Sequence, residues 1–159
     1  YVATNQTRKR LDRLIETYAH IRNDCTDPKV HLCIKTDREN SPTGFHLKRL
    51  VESYDLTESI TIMEGLTGEE DLARIIGNLD IYLHVSEWEG FGVPVIEALA
   101  AGVPVVTHAG QGPGELTPFH ELVAESDTTN DESGATLTHI RSEPAAKIVT
   151  GLTDRWDEE

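Results

Sequence analysis

The sequence predicts an α/β domain in which a parallel sheet carries helices on both faces. Short runs of branched and aromatic residues alternate with amphipathic stretches of helical period. From residue 1 to Thr107 the order reads strand, helix, strand, helix, strand, helix, strand, helix, strand. Strict alternation requires crossover connections, which join parallel strands and lay a helix on the sheet each time. The length, 159 residues, is that of one ordinary domain, so 1–159 is expected to form a single unit.

Taken in order, Tyr1–Thr4 reads as the stub of a first strand. With Thr7 as its candidate cap, a helix follows on Leu11, Leu14, Ile15 and Tyr18, spaced i, i+3, i+4, i+7. Val30–Ile34 is the next strand, and a Ser41-Pro42-Thr43-Gly44 turn leads to a helix on Leu47, Leu50, Val51 and Tyr54. Ser59–Met63 is a third strand. Thr67-Gly68-Glu69-Glu70 has capping-box spacing ahead of Leu72, Ile75, Ile76 and Leu79. Ile81–Val85 and Val103–Thr107 complete the strands, with a helix between them. Past Gly114 the pattern weakens. Residues 125–135 are mostly Asp, Glu, Ser, Thr and Asn and are expected to form a flexible loop, and the tail from Ser142 a marginal helix.

Composition excludes several classes. The apolar, aromatic and charged fractions, 38%, 6% and 26%, are those of a soluble fold. The longest uncharged stretch, Ala98–Gly114, is 17 residues long and broken by two prolines, so no membrane span is expected. No leader pattern is visible, and a chain beginning at Tyr1 is expected to be a fragment. Cys25 and Cys33 are too few for a disulfide framework and have no zinc spacing, which fits a reducing, cytoplasmic setting. Residues 1–50 hold ten Lys and Arg against six acids, whereas the remainder holds four against 22. That balance argues against general nucleic-acid binding, and in a chain with only five lysines in all the acidic remainder suits a surface solvated at high salt.

Chemistry concentrates in Ser86-Glu87-Trp88-Glu89-Gly90-Phe91-Gly92-Val93-Pro94-Val95-Ile96-Glu97-Ala98-Leu99-Ala100-Ala101-Gly102, which leaves a strand and opens a helix. Pro94 suits the first helical turn and Gly102 the carboxyl end, while Gly90 and Gly92 keep the backbone beside the helix start unobstructed. Open amides and the positive end of the helix dipole make this an anion site, and the expected anion is a diphosphate. Glu97 lies roughly 6 Å further along the axis, at 1.5 Å per residue, on an otherwise apolar helix, so a partner is expected for it. A ribose diol on the diphosphate would supply two hydroxyl donors. Glu89 lies on the other side of the anion, where the second substituent would sit. Ribose, diphosphate and a polar group together describe a nucleotide sugar.

Glu89 and Glu97, with seven residues between them in this setting, closely resemble the signature of retaining glycosyltransferases of family 4, whose architecture is GT-B. The resemblance runs in weaker form from Arg8 to about Glu115. It implies a Rossmann-like three-layer domain, the carboxyl-terminal donor-binding half of such an enzyme, with the N-terminal acceptor domain absent from this chain. Glu97 would then hold the ribose hydroxyls and Glu89, as the catalytic candidate, the hydroxyls of the transferred sugar. The amides of Gly90, Phe91, Gly92 and Val93 would face sugar and phosphate. Lys9 matches the family's phosphate-binding lysine, and Arg8 stands in for an arginine that the family carries about five residues earlier, where this chain reads Thr4-Asn5. The Gly110-to-Glu115 turn resembles a following Gly-rich loop but ends in Gly-Glu rather than Pro-Glu.

The reaction implied is metal-independent transfer of a hexose-type sugar from a UDP-, GDP- or ADP-sugar to a glycan, lipid-linked or protein acceptor, with no cofactor and any membrane contact made through the missing half. No Asp-x-Asp pair for a divalent ion occurs. Two alternatives stay open: a non-catalytic nucleotide-sugar-binding module, and a GT-B sugar-nucleotide epimerase or phosphorylase.

Other residues carry structural expectations. Glu87 is read as a solvated loop acid, Arg10 and Arg13 as a solvated helix face, Trp88 as a core cover, and His84 and His108 as packed strand-end histidines. Glu64-Gly65-Leu66 is a candidate contact to the base.

Overall fold

The apolar runs become strands within two residues of their expected places, in a computed structural model that describes residues 1–24, 29–119 and 122–156. A short turn at Thr7–Lys9 precedes α1 (Leu11–Asp24), followed by β1 (Leu32–Thr36), α2 (Leu47–Ser53), β2 (Ile60–Glu64), α3 (Glu69–Gly77), β3 (Tyr82–Leu83), α4 (Val93–Ala100) and β4 (Val105–His108). Then come α5 (Gln111–Leu116), β5 (Val123–Ala124), β6 (Ser126–Asn130), β7 (Thr136–Ile140) and α6 (Ser142–Trp156).

β1 and β2 pair in parallel, with Leu32 opposite Ile60 and Thr36 opposite Glu64. β3, β4 and β5 form a second parallel ladder, with Tyr82 opposite Val105 and Thr107 opposite Val123. The amino-terminal segment lies between these ladders: Val2 bridges Lys35 in parallel, and the Tyr82 hydroxyl donates to the Val2 carbonyl at 3.2 Å. Side chains of a strand alternate between faces, yet all four residues of β4 are buried, so this strand is covered on both faces. α6 packs on β4, β5 and α1, and α4 packs on β4 and α3. Leu11, Leu14 and Ile15 of α1 and Ala145, Ala146 and Val149 of α6 are buried in the common core.

Local expectations give way at several points. Thr7 does not cap α1, because its hydroxyl donates to the Thr43 carbonyl and Arg10, in the left-handed region at φ 49°, separates the turn from the helix. Thr67 does not cap α3 either. Gly68 is the cap residue, and Glu69, Glu70 and Asp71 complement the helix dipole in the first turn instead. β1 runs two residues further than the apolar run because Lys35, 6% exposed, sends its ammonium to the Gly65 carbonyl.

Residues 125–135 are not a loop throughout. β6 pairs antiparallel with β7, Ser126 opposite Ile140 and Asn130 opposite Thr136, and the threonines that look polar in composition are β-branched residues suited to strands. Asp131 closes the turn by accepting the amides of Ser133 (2.8 Å) and Ala135 (2.9 Å). The tail from Ser142 forms a full helix because α1 and the sheet bury one side of it. Cys33 is a free thiol, and Cys25 lies outside the described residues.

Candidate functional site

The candidate site lies where two loops leave the carboxyl ends of their strands. His84, Val85 and Ser86 continue β3 and are buried, and the chain then turns through Gly90 and Gly92 into α4. The Glu87 amide donates to the Arg8 carbonyl at 2.8 Å, tying this loop to the Thr7–Lys9 turn. As a result Lys9 and Arg8 meet Glu89. The Lys9 ammonium bonds Glu89 Oε1, and Arg8 Nη1 lies 3.6 Å from Oε2 while donating to the Trp88 carbonyl at 3.2 Å. Lys9 and Glu89 side chains are each 13% exposed, but Arg8 is 41% exposed.

Beneath Glu89, Ser86 Oγ donates to Oε1 at 3.0 Å and lies 2.8 Å from the Tyr1 hydroxyl. That hydroxyl, which donates to the Lys9 carbonyl at 3.0 Å, is held protonated well above its ordinary range by burial. Sequence alone does not mark Ser86 or Tyr1 as a site residue. Ser86 stands three residues before Glu89, a usable signal, whereas Tyr1 is 85 positions away from Ser86 and offers none.

The other side of the loop carries a second set of charges. Arg10 forms a two-pronged pair with Asp12 (2.9 and 2.7 Å) and reaches Glu87 at 3.1 Å. Glu87 also lies 2.7 Å from His139 Nδ1, and His139 Nε2 lies 2.7 Å from Thr129 Oγ1. The structure therefore corrects two expectations. Glu87 and Arg10 are not solvated: they are mostly covered and pin the hairpin to the β3–α4 loop, aided by the Thr138 amide donating to the Glu87 carbonyl at 3.1 Å. Arg13, by contrast, is partly exposed and paired with Glu16 at 2.6 Å.

Two histidines sit under the loop. His108 Nε2 lies 2.7 Å from the Ser86 carbonyl, which can only accept, so this nitrogen carries the hydrogen, and Nδ1 accepts from the Gly110 amide at 3.2 Å. Burial lowers its pKa, against the opposing effect of the Ser86 bond. His84 is more extreme: its pKa falls to about 3, chiefly by burial and then through His108 and Lys9, and neither ring nitrogen has a hydrogen-bond partner among the described residues. Both rings are neutral at neutral pH.

α4 begins at Val93 behind Gly92, the cap residue, whose φ of +71° favours glycine. Pro94 supplies no N–H and the Val95 amide already bonds the Gly92 carbonyl at 2.8 Å, whereas the amides of Phe91, Gly92 and Val93 at the helix start have no backbone partner among the described residues. Gly112 of α5 closes on this loop so tightly that a Cβ there would sit 2.5 Å from the Gly90 carbonyl oxygen. The Gly110–Glu115 turn is thus a helix, α5, whose glycines serve close packing. Glu97, one turn into α4, is exposed, and its carboxylate is accessible from outside. It does not join the Arg8–Lys9–Glu89 cluster. Trp88 is 50% exposed and covers no core; with Phe91 and Val93, also exposed, it gives the site an apolar rim. Gly65 accepts from Lys35, and Leu66 is exposed.

A cavity of about 740 Å³, lined in part by Tyr1, lies between the residues leading into β1 (Val30–Cys33) and those entering β3 (Leu79–Ile81). Among the described residues, no three His, Cys, Asp or Glu gather to hold a metal, and no helix is long and apolar enough to cross a membrane. The chemistry available is anion binding by Lys9, Arg8 and the α4 amides, beside carboxylates able to accept from hydroxyls.

Known proteins share this arrangement of chain. Over 140 residues, 86% of this chain and 32% of the relative, it is 29% identical to the MMP alpha-(1->4)-mannosyltransferase of Mycolicibacterium hassiacum. It is 29% identical over 103 residues to the mannosylfructose-phosphate synthase of Agrobacterium fabrum, covering 63% of this chain and 22% of that one. The fold matches the pneumococcal O-GlcNAc transferase GtfA in complex with UDP and GlcNAc (TM-score 0.72, 17% identity, 97% of this chain, 29% of that chain). It also matches Anabaena Alr3699/HepE in complex with UDP and glucose (TM-score 0.67, 18% identity, 99% of this chain, 39% of that chain). The chain therefore spans less than half the length of these relatives, and its fold is the α/β, Rossmann-like domain of GT-B glycosyltransferases. The model of the glycosyl transferases group 1 matches residues 1–131, and the chain belongs to that family.

Proposed function

We propose that this domain binds the donor in a retaining, metal-independent hexosyl transfer, as part of a family-4 enzyme whose acceptor-binding half lies outside this chain. The observation that carries the reading is the convergence of Lys9 and Arg8 on Glu89 beside the start of α4. The two cations and the helix amides would take the diphosphate and stabilise the leaving-group charge that a divalent ion stabilises elsewhere. Glu89 would accept from hydroxyls of the transferred sugar, and the exposed Glu97 from the ribose diol. The acceptor would attack from the face on which the diphosphate leaves, retaining the anomeric configuration. Relatives named as mannosyltransferases and solved neighbours holding UDP support a hexose carried on a nucleoside diphosphate. The acceptor would be a glycan, a lipid-linked saccharide or a protein, reached in the cytoplasm.

The test is calorimetric titration of the domain and of the full-length protein with UDP, GDP, ADP and their sugars, first without divalent metal and then with it. Metal-independent binding of one nucleotide and its sugar by both is the expected result. Failure of the full-length protein to bind any of them would overturn the reading, and binding without turnover would favour a non-catalytic nucleotide-sugar module.

A further inference from the structure

The same cations that would bind the diphosphate are already engaged by the carboxylate that would bind the sugar. Glu89 Oε1 takes the Lys9 ammonium and the Ser86 hydroxyl together, Oε2 faces Arg8, and the pair is largely covered. Among the described residues, the neighbouring acids are engaged elsewhere: Glu87 is turned to Arg10 and His139 on the far side of the loop, and Glu97 stands on the exposed side of α4. A diphosphate arriving at Lys9 and Arg8 would meet a fixed negative charge at hydrogen-bond range, which it must displace or tolerate.

We propose that Glu89 is an internal competitor for the diphosphate. Binding of phosphate and release of Glu89 to the sugar hydroxyls are one exchange: the phosphates take Lys9 and Arg8, and the freed carboxylate finds its new donors only when a sugar is attached. A nucleoside diphosphate without sugar leaves that carboxylate without its two cations and next to the phosphates, so the arrangement discriminates the donor from the spent nucleotide and favours product release. This inference rests on the donor-site reading given above.

Glu89→Gln in the full-length protein, titrated with nucleoside, nucleoside diphosphate and nucleoside diphosphate sugar, separates the two ideas. Expected is roughly tenfold tighter binding of the bare diphosphate, the size of one charge-assisted bond exchanged. The attached sugar should add less affinity than in the parent protein, and the nucleoside should bind unchanged. Ser86→Ala, which loosens Glu89 without removing its charge, should shift the bare diphosphate the same way by a smaller factor, with folding checked by thermal melting. A parent protein that binds the diphosphate, with a Gln variant that binds it equally or more weakly, overturns the competition alone. A parent protein that binds no nucleotide overturns the donor-site reading and the competition with it.

Discussion

Two clusters of like composition flank the loop between β3 and α4, and they differ in what else can reach them. On one side Arg10 is enclosed by Asp12, Glu87 and His139, and His139 is in turn held by Thr129, so protein groups meet each charge from several directions. On the other side Lys9 and Arg8 share the Glu89 carboxylate, and Arg8 remains 41% exposed. The first cluster spans the turn before α1, the loop and the hairpin, and acts as a clamp. The second lies beside the start of α4 and the exposed rim of Trp88 and Phe91. A cation enclosed by many protein groups serves the fold, whereas two cations that share one carboxylate beside an exposed rim are available to a ligand.

That division implies opposite outcomes for neighbouring substitutions. The largest effect expected on stability is from Arg10→Ala, which leaves Glu87 covered without its cation and lowers unfolding free energy by about 3 kcal/mol. Arg10→Gly should cost about 1 kcal/mol less, because glycine accepts the left-handed backbone that arginine occupies at φ 49°. Chemical denaturation of the two variants measures both numbers, and equal losses would remove backbone strain from the account. Lys9→Met should weaken nucleoside diphosphate binding by about 1.5 to 3 kcal/mol and cost less stability than Arg10→Ala, because Glu89 keeps Arg8 and the Ser86 hydroxyl. A large loss of stability with normal binding would place Lys9 in the clamp.

Acid should weaken the fold beneath both clusters. The pKa of His84 is depressed to about 3 in the folded chain, against about 6.5 unfolded, so the unfolded state binds the extra proton between those values. Stability contributed by the neutral ring is complete above pH 6.5 and declines as pH falls towards 3, by up to about 1.4 kcal/mol per pH unit. His84→Leu, similar in bulk and with no nitrogen to protonate, should flatten that decline while changing stability at pH 7 by less than about 1.5 kcal/mol. An unaltered pH profile would assign the acid sensitivity elsewhere, His108 being the next group affected by burial.

The smallest effect concerns the surface shared by both clusters. With a net charge of −14 and exposed acids such as Glu69, Glu70 and Asp71, self-repulsion is screened by salt. Thermal unfolding should shift upward by a few degrees from low to molar salt, and a flat profile would dismiss the high-salt reading of the composition.

Much of the frame was legible because helix and strand periods are local. Leu11, Leu14, Ile15 and Tyr18 are all buried on one side of α1, as their spacing requires, and Val105 and Val106 are buried in β4. Legibility failed where tertiary contact outweighs local preference. The Thr-rich stretch after Glu125 reads as a loop in isolation but becomes β6 once Thr136–Ile140 lies beside it. The tail from Ser142 looks marginal alone but becomes α6 against α1.

Sequence by itself determined the α/β class, the strand-to-helix segment from Ser86 to Gly102, and the nomination of Lys9, Arg8, Glu89 and Glu97. Only the tertiary structure decided how these charges divide. Lys9 meets Glu89 across 80 positions, Arg10 meets His139 across 129, and Glu97 stays in solvent despite its apolar helix. The reason is geometric. Spacing specifies which side of an element a residue occupies, but the partner of a charged side chain depends on which loops the crossover connections bring to the same end of the sheet, and no local pattern encodes that distance.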